Sequence, residues 1–115
     1  MQLRKQAEQL LAQHGNGADW MKHCYAVGAA ANAVGDALKR HYAVNLDFLY
    51  AAALLHDIGR YATHDPILHG VEGYNLLMQH GEEDLAFVCA SHVLFGLDAS
   101  EAAQAGLPAR DFIPR

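Results

Sequence analysis

The stretch Leu54-Leu55-His56-Asp57-Ile58-Gly59-Arg60, written LLHDIGR, sets a histidine and an aspartate side by side at the end of the apolar run FLYAAALL at residues 48–55. Leu49, Ala52, Ala53 and His56 recur at i, i+3, i+4 and i+7, the spacing of one helix face. Asn45 or Asp47 can start that helix, and Gly59 marks its expected end. A helix whose apolar face finishes on His56 and Asp57 carries two groups that are costly to take out of water unless they are paired or bound to metal.

Upstream, Leu3, Ala7, Leu10 and Leu11 keep helical spacing as far as His14-Gly15, where the turn Gly15-Asn16-Gly17 follows. The next segment should be the longest helix, with Asp19 as its cap and His23, Val27, Ala31, Val34 and Leu38 as its buried stripe, ending near Lys39-Arg40-His41. Downstream, residues 60–66 have no period and contain Asp65-Pro66, so they read as a loop. A fourth helix is expected over residues 67–80, with His69, Gly73, Leu76 and Leu77 on one face. After Gly81, the acidic run Glu82-Glu83-Asp84 suits a helix N-terminus, and Leu85, Val88, Cys89 and His92 continue on one stripe. Asp98 can cap a last short helix over residues 99–105. No stretch alternates with period two for long enough to suggest a sheet. The expected fold class is therefore all-α, a compact bundle of about five to six helices forming a single domain over residues 1–115.

Composition narrows the function classes. With 52% hydrophobic and 18% charged residues, the chain of 115 residues has what one folded core needs. Its longest apolar run is far shorter than the ~20 residues of a membrane span. The N-terminus lacks the apolar core of a secretory signal, which makes a cytoplasmic location the expectation. Cys24 and Cys89 form no CxxC pair and are expected to be small buried hydrophobes. A net charge of −5 with scattered basic residues disfavours long nucleic acid as a partner.

Eight histidines then have to be sorted. His14, His41 and His80 fall at expected helix C-termini and His64 in the loop, where solvent and the helix dipole account for them. His23, His56, His69 and His92 each lie on the expected apolar stripe of a different helix. One such histidine is usually a hydrogen-bonded core residue. Four on four helices, with Asp57, point to a metal or phosphate site, because bundles build such sites from inward-facing side chains. Imidazole with carboxylate suits Fe, Mn, Co, Ni or Zn rather than an oxygen-only calcium cage.

These residues resemble the HD-domain superfamily of metal-dependent phosphohydrolases, an all-helical fold named for its His-Asp doublet. LLHDIGR supplies the doublet, His23 the histidine 33 residues before it, HGVEG supplies His69, and SHVLFG supplies His92. The resemblance implies a first divalent transition metal on His23, His56 and Asp57, with Asp57 able to bridge, and His69 and His92 holding a second ion or the substrate phosphate. It implies hydrolysis of a nucleotide or another small phosphoester, with Asp57, His69, His92 and Arg60 as the catalytic set and Arg60 neutralising phosphate. A surface role competes for Arg60, Glu72 and Lys22.

One departure bears on this expectation. The family's last metal-binding aspartate lies on a helix beyond the connector that GLPARDFIPR resembles, so the chain is expected to lack that C-terminal helix. Asp98, Asp111, water or a partner chain in a homo-oligomer are the replacements considered. The alternative function is a degenerate HD domain that binds metal or nucleotide for regulation with little turnover. A third reading, a di-iron oxygenase, is permitted by the ligands and selected by none of them.

Overall fold

The structure is a computed structural model that describes residues 3–94, 98–104 and 106. Among these residues there are six α-helices and one 3-10 turn, and no strand. The helices are α1 (Leu3–Gly15), α2 (Trp20–Leu38), α3 (Leu46–Leu55), α4 (Leu68–Gln79), α5 (Glu83–Leu94) and α6 (Ala99–Gln104), with the 3-10 turn at Ile58–Tyr61 between α3 and α4. The all-α expectation and its helix number therefore hold. No helix among the described residues is long and apolar enough to cross a membrane.

Helix α3 and the turn after it form the centre. Helices α1 and α2 pack on α3, α5 packs on it as well, and α4 lies across the turn while pairing with α5. Leu54, Leu55 and Ile58 are fully buried there, together with Leu11 of α1, Leu77 of α4, Cys24 of α2 and Cys89 of α5. Helix α3 starts as expected: the Asn45 side chain accepts a hydrogen bond from the Phe48 amide at 3.0 Å. Both cysteines are free and buried, as their residue type and context indicated.

Three local expectations are corrected. Asp19 lies in the α-helical region and makes no capping bond with its side chain. The α2 stripe is rotated: Val34 and Leu38 are exposed, and the buried positions are Cys24, Gly28 and Gly35. The reason is close helix packing through small residues. A Cβ on Gly28 would lie 3.1 Å from the Tyr50 ring, and one on Gly35 would lie 2.7 Å from Leu46 Cδ2. A hydropathy stripe weighted by large side chains cannot see a face made of glycine.

The third correction concerns the doublet itself. Helix α3 stops at Leu55, His56 is its C-cap residue, and Gly59 sits inside the 3-10 turn rather than at a helix end. The segment expected to be loop from residue 60 thus begins in that turn. Gly59 has no positive φ, unlike Gly17, Gly81 and Gly106. A Cβ there would fall on the His69 carbonyl oxygen and 2.6 Å from the Gly73 amide nitrogen. Its small size lets the backbone of α4 cross directly against the turn, and that crossing brings His69 to Asp57.

Candidate metal centre

The expected site residues come from four places in the chain. His23 is on α2, His56 and Asp57 follow α3, His69 is in the first turn of α4 and His92 is near the end of α5. The structure brings all five together around the Asp57 carboxylate. Its Oδ2 lies 3.2 Å from His23 Nε2 and 3.1 Å from His56 Nε2. Its Oδ1 lies 2.9 Å from His69 Nε2 and 3.0 Å from His92 Nε2. Two candidate ligand groups result, His23 with His56 and Asp57, and Asp57 with His69 and His92, each with its donor atoms within 4.8 Å of one another. Asp57 belongs to both, one oxygen to each.

The backbone fixes which nitrogen faces the centre. His56 Nδ1 is 2.6 Å from the Ala53 carbonyl, His69 Nδ1 is 2.8 Å from the Asp65 carbonyl, and His92 Nδ1 is 2.7 Å from the Cys89 carbonyl. A carbonyl only accepts, so each Nδ1 must carry the proton and donate it. In the neutral ring, Nε2 is then a bare lone pair aimed at a carboxylate that also only accepts. His69 Nε2 and His92 Nε2 stand 3.2 Å apart, and the same reasoning makes them two acceptors facing each other. Acceptors packed on acceptors require a positive charge between them, either protons or a cation. The donor set therefore fits a divalent metal ion, and its orienting carbonyls are the partners that metal-bound histidines ordinarily have.

The electrostatics agree. Where a proton rather than a metal fills such a gap, burial still opposes ionisation of Asp57, but Nε2–H bonds from His56 and His92 outweigh it and hold the carboxyl well below its usual range. Burial likewise opposes a proton on His56, yet the Asp57 carboxylate and the Ala53 carbonyl leave its pKa raised. A pH dependence of the metal-free protein follows. The depressed Asp57 stabilises the fold above the ordinary value of 3.8 and loses that contribution as pH falls through its folded pKa. The raised His56 stabilises fully below 6.5 and loses its contribution as pH rises through its folded pKa. Chelator-treated protein should thus melt highest at about pH 4–6.5 and less high at pH 8. The extra stability on adding metal should instead grow with pH, because binding requires unprotonated Nε2. Thermal melts across pH with and without metal check both trends.

Exposure is graded across the centre. The His69 side chain is 4% exposed and His23 57%, so the site has a floor on α4 and an open edge at α2. His23 is thus at the rim of the site rather than on a buried stripe. Arg60 places Nε 3.7 Å from Asp57 Oδ2, so its charge lies against the carboxylate at the edge of the site. Lys22 faces solvent, its ammonium 4.0 Å from the Asp19 carboxylate. Glu72 is half-buried on α4 and belongs to neither ligand group. Asp98 caps α6 by accepting the Glu101 amide at 2.8 Å and joins neither group, while Asp111 lies outside the described residues.

Sequence reasoning missed Asp65. Its carboxylate accepts the Ile67 and Leu68 amides at 2.9 and 2.8 Å while its carbonyl holds His69. These amide bonds, from Leu68 and then Ile67, keep the Asp65 carboxyl below its ordinary pKa. An aspartate before proline, just ahead of a helix, is the signal that was available.

The family model described as HD domain matches residues 20–112. The chain belongs to the HD-domain family. That family is one of metal-dependent phosphohydrolases, and the His/Asp groups of this HD domain are placed to hold such a metal. Among curated proteins, an uncharacterized protein of Methanocaldococcus jannaschii is 38% identical over 96 residues, covering 82% of this chain and 56% of that protein. A tRNA (cytidine(56)-2'-O)-methyltransferase of Thermoplasma volcanium is 36% identical over 83 residues, covering 71% of this chain and 24% of the enzyme. The enzyme of the same name from Picrophilus torridus is 37% identical over 65 residues, covering 56% of this chain and 19% of its own. The HD domain thus spans about half the length of the first relative and a quarter or less of the methyltransferases. No solved structure matches the chain significantly.

Proposed function

We propose that this domain is a metal-dependent phosphohydrolase acting on a nucleotide or another small phosphoester. The observation that carries the reading is the shared carboxylate, with two imidazole nitrogens on each oxygen of Asp57. His23, His56 and Asp57 would hold one ion, and Asp57 with His69 and His92 a second. A metal there would lower the pKa of bound water and offset charge on the phosphoryl oxygens. The nitrogen-rich donor set favours Fe, Mn, Co, Ni or Zn over Mg or Ca.

The chain's own residues supply the rest. Asp57 and the three carbonyl-held imidazoles keep the ligand atoms fixed before substrate arrives, which limits reorganisation during reaction. If only one ion is bound, His69 and His92 are free to carry protons and donate to a phosphate. Arg60, 30% exposed beside Asp57, can turn its remaining N–H groups toward an anion at the open edge. The small, acidic domain suits a small substrate better than long nucleic acid.

A second reading is favoured by the methyltransferase matches, in which the similar segment is a minor part of a larger RNA-modifying enzyme. There the domain would bind metal or nucleotide beside another activity and turn over little. Metal analysis of purified protein with a screen of nucleotides and small phosphoesters separates the two. Bound metal with hydrolysis abolished by Asp57→Ala supports the enzyme. Bound metal or nucleotide without hydrolysis supports the binding module, and protein that takes up neither metal nor nucleotide overturns both. Saturating metal at about a thousand times its dissociation constant should stabilise the fold by ~4 kcal/mol, and a chelator should reverse this in a thermal melt.

A further inference from the structure

Cys89 makes contacts that neither the metal groups nor the packing of the core requires. Its side chain is fully buried on α5. The thiol donates toward two carbonyls, those of Leu55 at 3.0 Å and His56 at 3.3 Å. One sulfur atom therefore serves the last two carbonyls before Asp57.

The need for such a grip follows from the local backbone. The last carbonyls of a helix have no partner within it, and α3 ends at Leu55 so that Asp57 can leave helical geometry with φ −106° and ψ 13°. Leu55 is buried and His56 half-buried, so these carbonyls have little access to water. A thiol carries its proton at neutral pH, and a carbonyl only accepts, so S–H is the donor in both contacts. The Cys89 carbonyl meanwhile receives the Nδ1 proton of His92 at 2.7 Å. Gly73 leaves room for the sulfur, since a Cβ there would come within 2.9 Å of it.

We infer that Cys89 is a positioning residue, whose thiol holds the Leu55–His56 backbone so that the Asp57 carboxylate presents one oxygen to each histidine pair. The inference rests on the metal-site reading above and assigns no ligand role to the sulfur, which faces the backbone. The role needs a hydrogen-bonding group of cysteine's size, and serine is the conservative replacement. The Cys89→Ala change removes the bonds and leaves a small cavity. Cys89→Ser keeps donor and acceptor with a slightly shorter reach.

The test is Co²⁺ titration of wild type, Cys89→Ala and Cys89→Ser, followed by the visible absorption of bound Co²⁺ well below each variant's melting temperature. Cys89→Ala should bind Co²⁺ ~10–100-fold more weakly and with altered bands, as for loss of an orienting partner, and Cys89→Ser should return to within about threefold of wild type. Equal affinity in wild type and Cys89→Ala overturns the inference. So does a Cys89→Ser variant as weak as Cys89→Ala, because volume alone would then explain the loss. Amide exchange at Ile58 and Gly59 in metal-free protein gives a readout independent of the ion. It should speed up at least about tenfold in Cys89→Ala and recover in Cys89→Ser if the thiol holds the turn. Wild type that binds no Co²⁺ would sink the metal-site reading, and exchange unchanged in Cys89→Ala would overturn the positioning role.

Discussion

Asp57→Asn should empty both candidate ligand groups at once, weakening metal binding by more than about 100-fold while the helical fold is kept. The asymmetry with the histidines is geometric. Each histidine serves one group, whereas both Asp57 oxygens are engaged, Oδ2 by His23 and His56 and Oδ1 by His69 and His92. Asparagine has almost the same size, so the 6% exposed side chain can keep its place. It replaces one acceptor oxygen with a donor amide and removes the only negative charge among the five residues. A cation held by neutral imidazoles alone has lost the charge that offsets its own. His23→Ala, at the exposed edge, should cost only its own group, by roughly tenfold. Metal content by elemental analysis, with circular dichroism to confirm folding, distinguishes the two. Asp57→Asn protein that retains wild-type metal content would remove the shared carboxylate from the reading altogether. The stabilisation that added metal gives should vanish in the same variant.

The site was more legible than the helix faces, for a physical reason. A metal-ligand set demands particular residue types at particular spacings, so His23, His56, Asp57, His69 and His92 stand out in the sequence as candidates, and the fold brings them together. The α2 face was misread because Gly28 and Gly35 pack closely on Tyr50 and Leu46, and glycine leaves no hydropathy signal. The end of α3 was misplaced by a few residues because Gly59 looks like a helix stop, when its role is to admit the α4 backbone. The orienting carbonyls of Ala53, Asp65 and Cys89 have no side-chain signature and are found only once the chain is folded. Spacing thus reported which groups meet, and backbone geometry decided which of their atoms face one another.

Gly59→Ala should be the most damaging single methyl that can be added near the centre. The glycine is buried, and its Cβ would collide with the His69 carbonyl and approach the Gly73 nitrogen within 2.6 Å. Both are backbone atoms of α4, so no side-chain rotation relieves the clash. Either the 3-10 turn or α4 must move, and overpacking of this kind costs about 3 kcal/mol. For a domain of this size that corresponds to a melting temperature lower by ~10–20 °C. The displaced element also carries His69, so metal binding should weaken even where the variant remains folded. Gly81→Ala is the comparison that isolates packing from backbone strain. Gly81 has φ +74° and nothing within 4 Å of the place a Cβ would take, so only the left-handed backbone penalty of ~1–2 kcal/mol applies and metal affinity should not change. Thermal melts with metal titrations on both variants decide the matter. If Gly59→Ala were no more destabilised than Gly81→Ala and bound metal as wild type does, the close crossing of α4 over the doublet would not be what holds His69 against Asp57.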